Sequence, residues 1–319
     1  MKLLVNNQEI ANLRKLEWSD SLDNTASSIS FETDCQIEPG LQFALIEERD
    51  NTKVMEGIIA EYSQINKDIF SYTGYDFGFY LNHNSIVKQF NGVKISDAIK
   101  CLCRDFQIPY GNIPQLNATI RKIYKNIVLS DCLKGLLKLA QTKMNIDYYY
   151  LTCSNGALNI EKYQVINDLS TYMSDLSISS TDTLKSPKII VSMEDMRNQV
   201  IIVDNATDSI AKRFLAKDDN SIKHYGLLQH VEEVDKDIKN SFKTIASNKL
   251  KELNKLNTTI TINDMLGCYR IRKGVIIPID NKYYDINGYF LVKSSKHKIT
   301  KTKELVSVNL EKYDISKLG

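Results

Sequence analysis

The stretch Ser27-Ser-Ile-Ser-Phe-Glu-Thr33 decides the fold, because its pattern returns near the other end of the chain as Thr258-Thr-Ile-Thr-Ile-Asn-Asp264. In both stretches polar and apolar side chains alternate, which is typical of a β-strand with one buried face. The same features follow each stretch in the same order: Gly40-Leu41, Gly57-Ile58 and Tyr75-Asp76 after the first, and Gly274-Val275, Gly288-Tyr289 and Tyr313-Asp314 after the second. A glycine before an apolar run is common in β proteins, but four matches in order predict one β module used twice.

The middle of the chain differs from both ends in its hydrophobic period. Residues 1–80 consist of short apolar runs bounded by turn residues, which predicts an antiparallel barrel or sandwich. Residues 81–165 contain two stretches of helical spacing, and Asn155-Gly156 predicts a hairpin because both residues tolerate positive φ. Strands return in residues 166–319, interrupted by one long surface helix expected at about 233–256. The predicted class is α+β, mainly β, with a small α/β domain inserted between two β modules.

Two helix starts are predicted within the inserted α/β domain. Ser96-Asp97 precedes one helical stripe and Ser130-Asp131 precedes another. We expect each serine side chain to cap the first free N–H groups of its helix. Each aspartate should interact favourably with the helix dipole.

The composition excludes several classes of protein. The chain has 319 residues and a formal net charge of +2, whereas a dedicated nucleic-acid-binding protein should show a clear basic excess. The N-terminal apolar run is too short for the core of a signal peptide, and no stretch approaches the roughly 20 apolar residues of a membrane-spanning helix. The six scattered cysteines predict reduced thiols in a protein made in the cytoplasm.

No catalytic, cofactor-binding or metal-ligating residue is predicted. Metal-binding spacing is absent from the four histidines, which are His83, His224, His230 and His297. Cys101 and Cys103 are one residue too close for a zinc knuckle and have no second cysteine pair, which favours buried packing. Neither a Gly-x-Ser-x-Gly elbow nor a phosphate-binding Gly-x-x-x-x-Gly-Lys loop occurs. The sequence therefore offers no candidate catalytic or metal site.

Tyrosine and lysine each form one notable run. Tyr148-Tyr149-Tyr150 could stack on sugars or on a protein partner, but an alternating strand rich in aromatic residues is the favoured interpretation. Five lysines lie between Lys293 and Lys303. They could face an anionic partner or a pore, although a solvated hairpin with a charged edge is favoured.

Several segments, taken together, resemble a known family. They are Trp18-Ser19, Tyr72-Thr-Gly-Tyr-Asp-Phe-Gly-Phe-Tyr-Leu81, Arg197-Asn-Gln-Val-Ile-Ile-Val-Asp204, Ser221-Ile-Lys-His-Tyr-Gly-Leu-Leu-Gln229 and the closing stretch from Gly288 to Leu310. These segments resemble the baseplate hub family of contractile phage tails, found in PBSX-like prophages and phage tail-like bacteriocins and related to the late control protein D group. The segment that begins at Ser221 is the most specific, and none of the segments is catalytic.

The resemblance implies both a fold and an assembly. It implies two tube-like antiparallel β-barrel modules in each chain, and a homotrimer that presents a pseudo-sixfold ring. Such a ring would adapt the sixfold tail tube to a threefold central spike. The implied partners are the chain itself and the tail tube, central spike, tape measure and baseplate wedge proteins. The implied location is a virion or tail-like particle assembled in the bacterial cytoplasm, without specific nucleic-acid binding or membrane insertion.

The sequence is also compatible with two other functions. A tail-tip or distal tail protein of a non-contractile phage would share the barrels. A carbohydrate-binding adhesion module would use the tyrosine run. Some members of the resembled family carry fused enzymatic or spike segments, but Gly319 follows soon after the second module. We therefore expect a structural protein without enzymatic activity, whose spike and any wall-cutting enzyme are separate chains.

Overall fold

The computed structural model describes residues 1–144, 146–167, 187–204, 213–234, 242–300 and 303–318. The chain divides into two units, the first made of Met1–Lys188 with Ile260–Gly319 and the second of Ile189–Thr259. The polar stretch from Ser177 to Ser186 lies outside the described residues. Strands predominate over helices, and nearly all strand pairs are antiparallel, so the predicted α+β, mainly β class is confirmed.

The N-terminal β module consists of seven strands that enclose their own core. They are β1 (Lys2–Val5), β2 (Gln8–Glu9), β3 (Lys15–Ser21), β4 (Ser28–Thr33), β5 (Gln42–Ile46), β6 (Lys53–Asn66) and β7 (Ile69–Asp76). β4 shows the predicted alternation, because Ile29 and Phe31 are buried while the serines beside them are partly exposed. The strands pair in the order β3-β4-β7-β6-β5-β1-β2.

The inserted region has a separate core. Its elements are α1 (Gly78–Asn82), β8 (Ser85–Lys94), α2 (Ile95–Asp105), β9 (Thr119–Val128), α3 (Leu129–Met144), β10 (Tyr149–Ser154) and β11 (Ala157–Lys162), followed by the short β12 (Gln164–Val165). Ile99 of α2 and Leu133 of α3 are buried together with residues of the β8–β9 ribbon and the β10–β11 hairpin. The hairpin turn has Asn155 at φ 50° and Gly156 at φ 71°, which confirms the Asn-Gly prediction.

The predicted serine caps of α2 and α3 are wrong. Each helix begins at the residue before its serine, directly after a strand, so Ser96 and Ser130 lie inside the first turn and are buried. Backbone carbonyl groups replace the expected side-chain caps. The Ile95 N–H at the start of α2 donates to the Ala118 carbonyl oxygen over 2.8 Å, and the first N–H of α3 donates to the Asn84 carbonyl oxygen over the same distance. An aspartate does lie in the first turn of both helices, as expected from the dipole.

The second unit contains a small three-stranded sheet covered by a helix. Its elements are β13 (Lys188–Ser192), β14 (Gln199–Asp204), β15 (Arg213–Lys217), α4 (Asp219–Tyr225), β16 (Gln229–Val234) and α5 (Phe242–Leu253). β14 is central, antiparallel to β15 and parallel to β16, and α5 packs on one face. The predicted helix at about 233–256 is shorter in the structure, because Glu233 and Val234 complete β16 alongside β14. Residues 235–241 lie outside the described part of the chain.

The C-terminal β module completes the first unit. Its strands are β17 (Asn257–Leu266), β18 (Val275–Asn281), β19 (Ile286–Ile299) and β20 (Glu304–Lys312), and a 3-10 turn follows at Ile315–Leu318. Ile260 and Ile262 of β17 are buried, as their counterparts in β4 are. β12 extends this module as a strand parallel to β18.

The two β modules share their strand order. The order is β4-β7-β6-β5 in the N-terminal module and β17-β20-β19-β18 in the C-terminal module. The glycines before β5 and β18, Gly40 and Gly274, have positive φ of 91° and 81°. The corresponding strands β6 and β19 each have 14 residues. The modules differ at the next strand, since β1 is antiparallel to β5 whereas β12 is parallel to β18. The predicted duplication is therefore present at the level of strand order.

Candidate functional site

The two β modules are joined through one strand pair. β3 of the N-terminal module pairs antiparallel with the second half of β19, from Ser21 opposite Ser294 to Leu16 opposite Ile299. One sheet therefore runs through both modules. The loop of residues 267–274 contributes further contacts to this pair. We call the β3–β19 pair and this loop the junction.

A histidine stacked on the single tryptophan lies within the junction. His297 is fully buried opposite Trp18, and the two rings are parallel within 9° with 3.7 Å between their centroids. Its Nδ1 lies 2.7 Å from Glu304 Oε1, and its Nε2 lies 3.0 Å from the Ile271 carbonyl oxygen. Nε2 also lies 3.0 Å from the Ser295 hydroxyl oxygen, so both ring nitrogens have polar partners. The stack fixes the relative position of β3 and β19.

Asp20 ties the loop of the junction to β3. Its Oδ1 accepts hydrogen bonds from the Lys273 backbone N–H at 3.1 Å and from the Ser295 hydroxyl at 2.7 Å. Its Oδ2 lies 3.4 Å from Nε of Arg272, whose guanidinium lies 5.6 Å from the centre of the Trp18 ring. A buried carboxylate needs such partners to offset its loss of hydration.

A buried lysine interacts electrostatically with two buried carboxylates. The Lys273 side chain is 1% exposed, and its Nζ donates to the Asn24 carbonyl oxygen at 3.3 Å. Burial lowers the pKa of Lys273, and the charges of Asp20 and Asp76 oppose this shift. Burial raises the pKa of Asp76, whereas Lys273 and the backbone N–H groups of Ser27 and Gly78 act to lower it. Each of these charges therefore depends on its neighbours.

The inserted region contacts the same loop through Tyr150. The Tyr150 ring stacks on Tyr163 with 5.6 Å between centroids, and its hydroxyl donates to Glu161 at 3.3 Å. A Cβ atom at Gly274 would lie 2.3 Å from Cζ of Tyr150, so glycine leaves the room that this ring occupies. The loop of residues 267–274 thus contacts both β modules and the inserted region.

A polar cavity of about 350 Å³ lies beside the β3–β19 pair. Hydroxyl and amide side chains from both β modules line most of it. They bond to one another: Ser19 with Ser28 at 2.9 Å, Thr261 with Asn309 at 2.8 Å, and Asn309 with Ser294 at 2.9 Å. These side chains satisfy one another's hydrogen bonds, so the cavity lining is a polar sheet face without an unpaired group that points to a ligand among the residues named here.

The histidines and cysteines singled out in the sequence are dispersed. The histidines lie on separate elements, with His83 after α1, His224 in α4, His230 in β16 and His297 in β19. The part of the chain that the structure describes holds no group of three or more His, Cys, Asp and Glu residues suited to a metal ion. Cys103 is buried in the core of the inserted region, which raises its pKa to about 11, whereas Cys101 is partly exposed beside Asp105.

The tyrosine run is part of the packing. Tyr149 packs against the core of the inserted region, while Tyr150 reaches Gly274 on the other side of β10. Tyr148 precedes the strand and contacts the Tyr149 ring, with 4.8 Å between centroids. All three side chains are half-buried, which agrees with the favoured strand interpretation.

The lysine run lies on the β19–β20 hairpin, as predicted. The expected charged edge is wrong, because this half of β19 pairs with β20 on one side and with β3 on the other. Three of its side chains form ion pairs with carboxylates, namely Lys293 with Glu311, Lys296 with Glu17 and Lys298 with Asp264. Lys301 lies outside the described residues.

Among the described helices, none combines the length and apolar composition that membrane crossing requires.

Comparison with known families shows where this sequence belongs. Residues 16–311 match the family model described as YQBQ-like. The chain belongs to the YQBQ-like family. Two proteins of Bacillus subtilis (strain 168) are similar over 244 residues, 75% of this chain and 72% of theirs: YqbQ at 23% identity, and XkdQ of the phage-like element PBSX at 22%. The resemblance to the PBSX-like prophage family is thereby confirmed.

Solved structures extend this YQBQ-like fold to phage tail proteins. The tail protein from Neisseria meningitidis MC58 has a TM-score of 0.73 at 13% identity, covering 99% of this chain and 97% of that one. The 43 kDa tail protein of prophage MuSo2 from Shewanella oneidensis has a TM-score of 0.72 at 13% identity, covering 100% and 99%. The E. coli c3393 protein, a component of the type VI secretion system, has a TM-score of 0.50 at 8% identity, covering 98% and 77%. At these identities the likeness is one of fold.

The sequence predictions missed the junction residues. Trp18 and Asp20 are two residues apart in β3, and Ser295 and His297 are two apart in β19, so all four occupy the buried faces of their strands. Polar residues at core positions of a strand indicate a satisfied buried network, and this signal was present in the sequence. It does not reveal which strand supplies the partners.

Proposed function

We propose that this protein is the structural hub of a contractile tail baseplate, in a phage or a phage tail-like bacteriocin. The observation that carries the proposal is the shared strand order of the two β modules. A chain with two copies of one module can occupy two equivalent positions of a ring. Membership of the YQBQ-like family and the fold shared with phage tail proteins support a tail component.

In this proposal three chains form a homotrimer with six β modules. The resulting pseudo-sixfold ring adapts the sixfold tail tube to a threefold central spike. Residues 1–80 form the first tube-like barrel module and residues 81–165 form the inserted α/β domain. Within residues 166–319, β17–β20 form the second barrel module, whereas β14–β16 and α5 belong to the separate second unit. The junction supports this arrangement, because the β3–β19 pair and the Asp20 contacts hold the two modules of one chain together.

The proposed partners are the tail tube, central spike, tape measure and baseplate wedge proteins. A spike partner is supported by the fold shared with c3393, which is described as similar to the bacteriophage T4 tail proteins gp27 and gp5. The role is mechanical: the hub closes the end of the tube and transmits force to the spike, without enzymatic activity, specific nucleic-acid binding or membrane insertion. Its location is the virion or tail-like particle, assembled in the bacterial cytoplasm.

Negative-stain electron microscopy tests this function. The purified protein, alone and co-expressed with a candidate spike protein, should give class averages of a threefold ring with six lobes and a central channel. A compact monomer in both preparations contradicts the proposal. Labelled protein found at the tip of a sheathless, flexible tail favours the alternative of a tail-tip or distal tail protein. The half-buried tyrosine run counts against the carbohydrate-binding alternative.

A further inference from the structure

The three-stranded sheet of the second unit has two edges of opposite charge. Within the described residues, β15 and β16 each pair with β14 alone, so each forms one edge of this sheet. β15 begins with Arg213, and Glu233 lies at the corresponding place of β16. Two further charges already have partners within the unit: Lys217 pairs with Asp219, and Glu232 lies beside His230. An exposed strand edge offers unpaired backbone groups to another strand.

The two edges also match in register. Leu215 and Val231 lie opposite the same residue of β14, Ile201. Arg213 and Glu233 both lie opposite Val203 of β14. Because β15 is antiparallel to β14 and β16 is parallel to it, β15 and β16 are antiparallel to each other. If β15 of one chain lay beside β16 of another in this register, Arg213 would face Glu233 and Leu215 would face Val231.

Exposed apolar side chains accompany the charges. Leu215 is 39% exposed and Val231 is 51% exposed, on either side of Ile201, which is 5% exposed. This row lies on the face away from α5, since Phe214 and Ile202 of the opposite face pack with that helix. An apolar row bordered by complementary charges is a typical composition for a protein interface.

We propose that β15 of one chain pairs with β16 of a second copy of this chain, head to tail, within the trimer of the proposed function, on which this inference rests. A head-to-tail contact uses two different surfaces, and such contacts close into a ring of three when the rotation between neighbouring chains is 120°. Backbone hydrogen bonds provide the affinity of an added strand. The Arg213–Glu233 and Leu215–Val231 pairs set its register.

Charge reversal tests the pairing. Arg213→Glu and Glu233→Lys each place like charges opposite each other at every contact of the ring. Each variant should raise the protein concentration at half-maximal trimer formation by at least about tenfold, measured by sedimentation velocity. The double variant restores opposite charges and should return this concentration to about the wild-type value. Lys223→Glu and Glu194→Lys change charges exposed in the same unit but away from both edges, and should have little effect.

Disulfide crosslinking gives a second test that does not depend on the charges. Positions 215 and 231 of one chain are separated by β14, which places them about 9–10 Å apart, beyond the reach of a disulfide. In the proposed contact they are neighbours. Oxidation of the Leu215→Cys, Val231→Cys double variant should therefore give covalent trimers on a non-reducing gel, whereas Leu215→Cys alone should not.

The outcomes separate this interface from the hub function. A wild-type trimer whose assembly neither charge variant weakens, and whose cysteine variant does not crosslink, overturns the interface and leaves the hub proposal standing. A wild-type protein that stays monomeric at every concentration overturns both. If a charge variant loses its native circular dichroism spectrum, the crosslinking result decides.

Discussion

At the scale of single residues, the junction depends on charges that are withdrawn from water. Asp20 is 4% exposed and Lys273 is 1% exposed, and their contacts join a strand near the start of the chain to a loop near its end. Taking a carboxylate and an ammonium group out of water is costly, so their mutual contacts matter more than those of a surface ion pair. The junction is therefore sensitive to the loss of any one partner.

Replacing Asp20 with alanine should lower the free energy of unfolding by about 3–5 kcal/mol. The change leaves the Lys273 N–H and the Ser295 hydroxyl without their acceptor, and leaves the buried Lys273 charge without one of its two carboxylates. Guanidinium unfolding followed by tryptophan fluorescence measures this, since Trp18 lies in the junction. The matched control is Asp23→Ala at an exposed position just after β3, which should change stability by less than about 0.5 kcal/mol. Equal effects of the two substitutions would contradict the role given to Asp20.

At the scale of elements, each β module depends on the buried face of its alternating strand. Ile29 and Phe31 of β4 correspond to Ile260 and Ile262 of β17, and all four side chains are buried. Between them the polar residues face away from the core. This period-two pattern is local, which is why it could be read from the sequence.

Replacing Ile262 with aspartate should abolish particle assembly, because it places a charge in the core of the C-terminal module, where Ile262 is 0% exposed. The expected loss of stability is at least about 3 kcal/mol. The matched control is Asn263→Asp, which adds the same charge one residue later at an exposed position. Electron microscopy of particles from both variants provides the measurement. Normal particles from Ile262→Asp would show that the register of β17 is wrong.

Several elements could not be predicted, and each has a physical reason. The starts of α2 and α3 are satisfied by carbonyl groups of Ala118 and Asn84, which are distant in sequence, so the local serines gave a misleading signal. Glu233 and Val234 fit a helical stripe, but parallel pairing with β14 holds them in a strand. The β3–β19 pair joins strands from opposite ends of the chain, and alternation shows that a strand has a buried face without showing its partner.

At the scale of the whole molecule, the repeat within the chain is the feature with functional meaning. Comparison of the two copies in the sequence revealed the repeated module, and the structure adds its strand order and the continuous sheet through β3 and β19. The expectation of a trimer comes from the family resemblance, because neither the composition nor the spacing of residues indicates an oligomeric state. In the proposed function, the two modules of each chain occupy equivalent positions in a threefold assembly.

The most direct test is a cryo-electron microscopy reconstruction of the assembled protein with threefold symmetry. We expect the N-terminal and C-terminal modules of one chain to lie at the same radius, related by a rotation of about 60° around the threefold axis. Six similar densities would then surround the channel. Modules that lie at clearly different radii, or whose rotation differs from about 60°, would contradict this arrangement. The chain would then not use one module twice to convert sixfold into threefold symmetry.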